Sequence, residues 1–278
     1  MIKSLLVAVD SSAYARAALA HALELAKAYE ARVTGLYVLD VRYLEMPPYV
    51  DYSYLFEAVP PVVAPLDLMD KFRAKSERIL GDLRKAVEEM GIAVETRTEE
   101  GVPGQVISDI GDAHDLILMG KRGEHAKWAR DLLGPTAESV ARRSATPVLL
   151  VEQEWRPVKK ALVLFDGSHP ANRGLTLAAD LALRTGTALR VLTADDDAER
   201  GETTMAEARA YLEPLALDAS YSVLPGKAVK AATAVLADDP ADLVIMGMRG
   251  HSPLRYLILG RTTEQLMRSV ELPVLLVP

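Results

Sequence analysis

Apolar residues in this chain fall into short unbroken runs that alternate with stretches of helical spacing. Leu5–Val9 is continuously apolar, as a strand buried on both faces would be. Ser11 or Ser12 can cap a helix carrying Leu19, Leu23 and Ala26, and Arg32–Leu39 returns to a strand. Phe72, Ile79, Leu83, Val87 and Met90 then mark one face of a long helix that stops at Gly91. A third strand is predicted at Ile92–Thr98, a short helix at Gln105–Ile110 and a fourth strand at Leu116–Met119. A helix over Thr136–Arg143 and a fifth strand at Pro147–Val151 follow.

The same plan then recurs. Leu5–Ser12 matches Ala161–Ser168 at an offset of 156 residues; Asp115–Gly120 matches Asp242–Gly247, and Thr146–Val151 matches Leu272–Val277. Three matches in one order indicate a duplicated unit, too long for a solenoid repeat. The second copy predicts strands at Ala161–Phe165, Ala188–Thr193, Ala219–Leu224, Leu243–Met246 and Val274–Val277. Its helices are expected at Leu175–Leu183, Thr204–Leu212, Val229–Leu236 and Thr262–Arg268. We expect two domains, 1–153 and 158–278, parted where Trp155-Arg156-Pro157 breaks the pattern. Alternating strands and helices imply an α/β chain with parallel sheets and helices on both faces. Ligands of such sheets bind beyond the carboxyl ends of the strands, where the strand order reverses.

Composition narrows the chemistry. The 278 residues are 50% hydrophobic and 26% charged, with no cysteine, which excludes disulfide scaffolds, thiol enzymes and cysteine-ligated metals. Residues 1–152 hold 18 Lys+Arg against 23 Asp+Glu, and the rest 14 against 16, giving the net charge of −7. Neither half has the basic excess of a nucleic-acid binder. No apolar run approaches a membrane span or a signal-peptide core, so a cytoplasmic protein without membrane or nucleic-acid partners is expected. None of His21, His114, His125, His169 and His251 stands at a metal-ligand spacing, and most are expected to be solvated or capping. Asp195-Asp196-Asp197 reads as a solvated charge run.

The strand-four loops are more specific. Copy one runs Met119-Gly120-Lys121-Arg122-Gly123, ten residues, then Gly134-Pro135-Thr136 at a helix start. Copy two runs Met246-Gly247-Met248-Arg249-Gly250, nine residues, then Gly260-Arg261-Thr262. Bare main chain leading into a helix start suits a polyphosphate, because glycine lets N–H groups approach and the helix end adds donors and partial positive charge. Lys121, Arg122, Lys127 and Arg130 flank the first loop; Arg249, His251, Arg255 and Arg261 flank the second. This pattern, with the Val-Asp-Ser-Ser and Phe-Asp-Gly-Ser turns after strand one, resembles the ATP-binding loop and nucleotide turn of the universal stress protein family, and does so in both copies.

The resemblance implies two doubly wound domains, each with a five-stranded sheet of order 3-2-1-4-5, and ATP, alone or with Mg2+, across strands one and four. Carried over by position, Ala8, Val9 and Asp10 would flank the adenosine, and Val38 would meet the adenine through its backbone. Met119, Gly120 and Gly123 would follow the ribose and phosphates, closed by Gly134 and Thr136. The second set is Leu164, Phe165, Asp166, Met246, Gly247, Gly250, Gly260, Arg261 and Thr262, with Thr193 or Ala194 in the place of Val38. Two departures stand out: Pro135 removes one amide donor, and Arg261 replaces a hydroxyl residue. Phe165 is positioned to crowd the adenine or stack on it. Asp10 and Asp166 read as contacts to ribose or a metal, or as helix caps.

The insertion 42–66 holds five prolines and four tyrosines, which suits a lid, a partner surface or a loop packed on its own domain. The Pro-Val-Leu-Leu-Val strands would lie at sheet edges, where pairing is invited. The family's last strand makes its dimer contact, so the copies are expected to pair as an intramolecular pseudo-dimer, with a homodimer as a further step. Three activities fit: a nucleotide-binding regulator of the stress response, a slow ATPase or nucleotide hydrolase, or a ligand-free interaction module.

Overall fold

The computed structural model describes residues 2–43, 65–124, 133–248 and 260–278. The first half comprises β1 (Ser4–Ala8), α1 (Ala13–Tyr29), β2 (Arg32–Asp40), α2 (Pro65–Glu89), β3 (Val94–Gly101), α3 (Pro103–Gly111), β4 (Leu116–Gly120), α4 (Pro135–Arg143) and β5 (Val148–Val151). The second comprises β6 (Lys160–Leu164), α5 (His169–Thr185), β7 (Ala188–Ala194), α6 (Ala198–Leu212), β8 (Ala219–Leu224), α7 (Ala228–Asp238), β9 (Leu243–Gly247), α8 (Arg261–Ser269) and β10 (Val274–Val277). Each half is a parallel sheet of order 3-2-1-4-5, so the doubly wound expectation holds. The two sheets join into one of ten strands, β3-β2-β1-β4-β5-β10-β9-β6-β7-β8.

The join is antiparallel: Leu149 faces Leu275, flanked by Val148 with Leu276 and Leu150 with Val274. All six side chains are buried. Strands that are edges of their own half thus occupy the centre of the molecule, and pairing removes their open backbone groups from water. Alternation along the strands feeds two cores. Leu5, Val7, Leu149 and Leu275 pack with α1 and α5 on one face. Leu6, Ala8, Leu150 and Leu276 pack with α4 and α8 on the other.

The repeat extends to the hydrogen bonds. Ser12 Oγ accepts from the Ala15 amide and Ser168 Oγ from the Ala171 amide, capping α1 and α5. Asp115 accepts from the Lys3 and Ser4 amides, tying the start of β4 to the start of β1; Asp242 does the same for Lys159 and Lys160. Several predicted bounds shift. The third strand is displaced to Val94–Gly101, because Gly91 at φ 70° and Ile92 complete the turn after α2. The helix expected over Leu175–Leu183 runs from His169 to Thr185, because the Ser168 cap opens it and Gly186 at φ 72° ends it.

Candidate functional site

β1 and β4 are neighbours whose following segments turn to opposite sides, and a cavity of about 350 Å³ lies beyond their carboxyl ends. Ala8, Val9, Asp10, Val38, Met119, Gly120, Gly123, Gly134 and Thr136 all line it. The nine residues carried over for the first half therefore converge on one space. Its size is that of an ordinary small-ligand pocket. Leu36, Phe72, Ile107, Leu133 and Ala137 add apolar lining, and Asp40, Arg42, Arg122 and Glu124 polar lining.

The sheet supplies the main-chain groups. The last bond from the β1 segment to β2 is the Val9 N–H to the Leu36 carbonyl, 2.9 Å. Peptide groups alternate sides along a strand, so Val38, two residues on, turns its N–H and C=O to the same side, where β1 has already ended. In the second half Leu164 pairs with Leu192 as Ala8 pairs with Leu36, so the equivalent of Val38 is Ala194.

Each glycine of the first loop meets a packing demand. A Cβ on Gly120 would collide with Tyr14 and lie 2.6 Å from the Arg122 carbonyl oxygen. One on Gly123 would lie 2.8 Å from Asp10 Oδ2, and one on Gly134 3.1 Å from the Lys121 carbonyl oxygen. The glycine-bearing ends of the loop thus lie tightly against one another and against α1. Gly134 N-caps α4 without any side-chain bond; Pro135 has no N–H and Glu138 N–H bonds the Gly134 carbonyl, which leaves the Thr136 and Ala137 amides as the open donors of the first turn. Pro135 sits at the first helical position, where its missing N–H costs least.

The amino end of α1 is already served. Asp10 Oδ1 accepts from the Ser12 amide (2.9 Å) and Oδ2 from the Glu124 amide (3.1 Å). Glu124 accepts from the Ser11 amide (2.8 Å) and pairs with Lys75 of α2 at 2.6 Å. Burial raises the Asp10 carboxyl above its ordinary value; hydrogen bonds from Ser12 oppose this and the Glu124 charge adds to it. Burial acts on Glu124 in the same sense, but the Lys75 bond and charge and the Ser11 bonds outweigh it, and its pKa is lowered. Sequence reasoning missed Glu124, Lys75 and Phe72 as site residues. Glu124 follows Gly123 directly, yet its meeting with α2 is a tertiary event.

Two expectations need correction. Lys121 does not face the cavity. It is 3% exposed, its Nζ pairs with Glu152 at 2.8 Å and donates to the Val270 carbonyl at 2.8 Å, and so it links the halves. Burial lowers its pKa and the Glu152 charge works against that. The Phe165 side chain is turned away from the place where it was expected to meet an adenine. Its side chain, 2% exposed, belongs to the core with Ala171, Leu175, Met205 and Ala208, on the face opposite Leu164.

The rest of the second set repeats the first in part, with a larger side chain at the end of its first strand and a more exposed Asp. Leu164 stands where Ala8 does and is buried in the core layer of Met246 and Leu266. Asp166 is exposed and accepts from the Ser168 amide at 3.0 Å. A Cβ on Gly247 would lie 2.9 Å from Pro170, repeating the close approach of Gly120 to α1. Gly260 N-caps α8 and Thr262 is exposed on its first turn. Gly250, Arg249, His251, Arg255, Lys127, Arg130, His125 and insertion positions 44–64 lie outside the described residues, as does the Arg261 side chain. His21 is buried rather than solvated, and burial lowers its pKa to about 4. In the acidic run, Asp197 caps α6 and Asp195 pairs with Arg200.

These features define a class: a tandem doubly wound α/β protein with a ligand-sized cavity at the strand-order switch of its first half. The sequence model of the universal stress protein family matches the chain twice, over residues 1–152 and 157–278, and the chain belongs to that family. The universal stress protein Slr1230 of Synechocystis sp. is 26% identical, with 99% of each chain covered. A crystal structure of a universal stress protein from Archaeoglobus fulgidus superposes with a TM-score of 0.77 at 21% identity, covering 99% of this chain and 95% of that one. A putative universal stress protein from Pseudomonas aeruginosa gives 0.70 at 18% identity, covering 99% and 93%. Both structures speak to the fold. Among the described residues no helix is long and apolar enough to cross a membrane.

Proposed function

We propose that this chain is an adenine-nucleotide-binding regulator of the stress response, and that its first half holds ATP. The observation that carries the reading is the single cavity into which the nine residues carried over for the first half converge. The adenine lies between Ala8, Phe72 and Ile107, with the open Val38 peptide groups on its polar edge. The ribose meets Asp10 and Met119. The phosphates run along Gly120, Gly123 and Gly134 to the open amides of α4, with Arg122 as the cation and Thr136 beside them.

Mg2+ fits as a companion of the phosphates rather than as a resident ion. The cavity offers two carboxylates, Asp10 and Glu124, and among the described residues no group of three or more His, Asp or Glu could hold a metal. When bound, the ion would offset the charge of the phosphates against those carboxylates. Leu164 in place of Ala8 makes the second half the poorer host.

The units of this reading are 1–153 and 158–278, forming an intramolecular pseudo-dimer in the cytoplasm. Nucleotide regulates only if it binds two shapes of the molecule with different affinity. The test is calorimetric titration of the full chain with Mg-ATP. One site per chain, lost on changing Gly120 to Val, supports the proposal. No heat and no thermal shift at millimolar nucleotide would refute it.

A further inference from the structure

The internal join consumes β5 and β10, so among the described residues the sheet has two free edges, β3 and β8. β3 is guarded. Glu95, Arg97, Glu99 and Glu100 put charge along it, one of the means by which an edge is kept from pairing. β8 is not guarded. Ala219-Ser220-Tyr221-Ser222-Val223-Leu224 holds no charge, no proline and no glycine, and Asp218 and Pro225 bound it.

The groups that this edge leaves open follow from the ladder. The Leu189 N–H bonds the Asp218 carbonyl and the Asp195 N–H bonds the Leu224 carbonyl. Between these bonds β7 and β8 run parallel in register, from Leu189 with Ala219 to Ala194 with Leu224. Peptide groups alternate sides along a strand. Ser220, Ser222 and Leu224 therefore turn theirs toward β7, and Ala219, Tyr221 and Val223 turn theirs outward. No hydrogen bond reaches these outward groups among the described residues. Tyr221 stands at the centre of the three. A two-fold axis through it, with a second copy running antiparallel, sets Tyr221 against Tyr221 and Ala219 against Val223. Every open N–H then finds a carbonyl. The same axis sets Ser222 opposite Ser220 of the second copy. Ser222 Oγ is buried without a hydrogen-bond partner among the described residues, and Ser220 is exposed. This pair falls between the hydrogen-bonded pairs, where facing side chains come closest and serines can bond across the strands.

We propose that β8 is a self-association edge: two copies of this chain pair β8 with β8, antiparallel about Tyr221, and join their ten-stranded sheets into one. The β5–β10 join inside the chain is a contact of the same kind, antiparallel and between strands that are edges of their own half. A foreign extended peptide could use the open main chain, but the symmetry centred on Tyr221 suits a second copy. β8 is the outermost strand of the second half, and the proposal does not rest on nucleotide binding by the first.

The test is light scattering of the full chain across a hundredfold range of concentration, with amide exchange followed by NMR at both ends of the range. The expected result is a monomer that becomes a dimer as concentration rises. The Ala219, Tyr221 and Val223 amides should exchange fast in the monomer and at least tenfold more slowly in the dimer, while those of Ser220, Ser222 and Leu224 are slow in both. Ser220→Lys, an exposed change that brings two ammonium groups beside the axis, should weaken the dimer at least tenfold and leave urea unfolding of the monomer unchanged. The proposal is overturned by a chain that stays monomeric throughout, by a dimer whose three outward amides stay fast, or by a dimer indifferent to Ser220→Lys.

Discussion

Replacing Lys121 by Met separates packing from phosphate recognition. The second half already carries Met248 at the equivalent position, 1% exposed, and its amide reaches the Val277 carbonyl just as the Lys121 amide reaches that of Val151. Met should therefore fit the backbone and much of the space. What is lost is a charge-assisted contact to Glu152 and one to the Val270 carbonyl, each 2.8 Å long. Removing one partner of a fully buried pair costs ~3–5 kcal/mol. The Glu152 side chain is 23% exposed and can recover water. The loss should thus fall to about 2 kcal/mol, mainly the stranded carbonyl and the partly desolvated carboxylate. Urea unfolding of Lys121→Met, Glu152→Gln and the double variant would measure it. The double variant should be less destabilised than the sum of the singles, because each single leaves the other group unpaired. Mg-ATP affinity should stay within twofold. A stability change near zero, strict additivity, or a tenfold loss of nucleotide affinity would each refute the assignment of Lys121 as a link between halves.

Ala8→Leu should abolish nucleotide binding by filling part of the cavity that Ala8 lines, while costing no more than about 1 kcal/mol in urea unfolding, because Leu164 already occupies the matching position. Gly120→Val should lower stability by about 2 kcal/mol and weaken Mg-ATP at least a hundredfold in calorimetry, since the added Cβ meets Tyr14 and the Arg122 carbonyl. His21 titrates near 6.5 when unfolded and about 4 when folded. Its stabilising contribution is therefore present above 6.5 and lost as pH falls toward 4, and wild type should lose about 2 kcal/mol more than His21→Phe between pH 7 and 5. Asp10 has the opposite sense: its folded pKa is raised, so its contribution is present at acid pH and lost as pH rises through that value. The melting temperature of Asp10→Asn should accordingly gain on wild type as pH climbs from 3.5 to 7.

Much of this protein is written in local pattern. Continuous apolar runs such as Leu5–Val9 and Val274–Val277 must be buried on both faces, and with helical spacing between them this leaves little but a doubly wound sheet. The repeat of Asp-Leu-Ile-Leu-Met-Gly as Asp-Leu-Val-Ile-Met-Gly exposes the duplication. The glycines mark where main chain comes close, and the nine residues carried over for the first half meet around one cavity.

Other features depend on which segments meet. Nothing near Lys121 in sequence says that its ammonium turns toward Val270, 149 residues away, rather than toward a phosphate. Alternation at a strand end, where one residue more or less reverses the face, put Phe165 in the core with Ala171 and Leu175. Glu124 meets the α1 amino end through Ser11 and Asp10, and α2 brings Lys75 to pair with it there. The cavity lined by α1, α5 and the strands Val148–Val151 and Val274–Val277 exists only once those two strands pair. Local sequence fixes which groups must leave water, and the three-dimensional meeting of distant segments fixes which partner each buried charge and each strand edge finds.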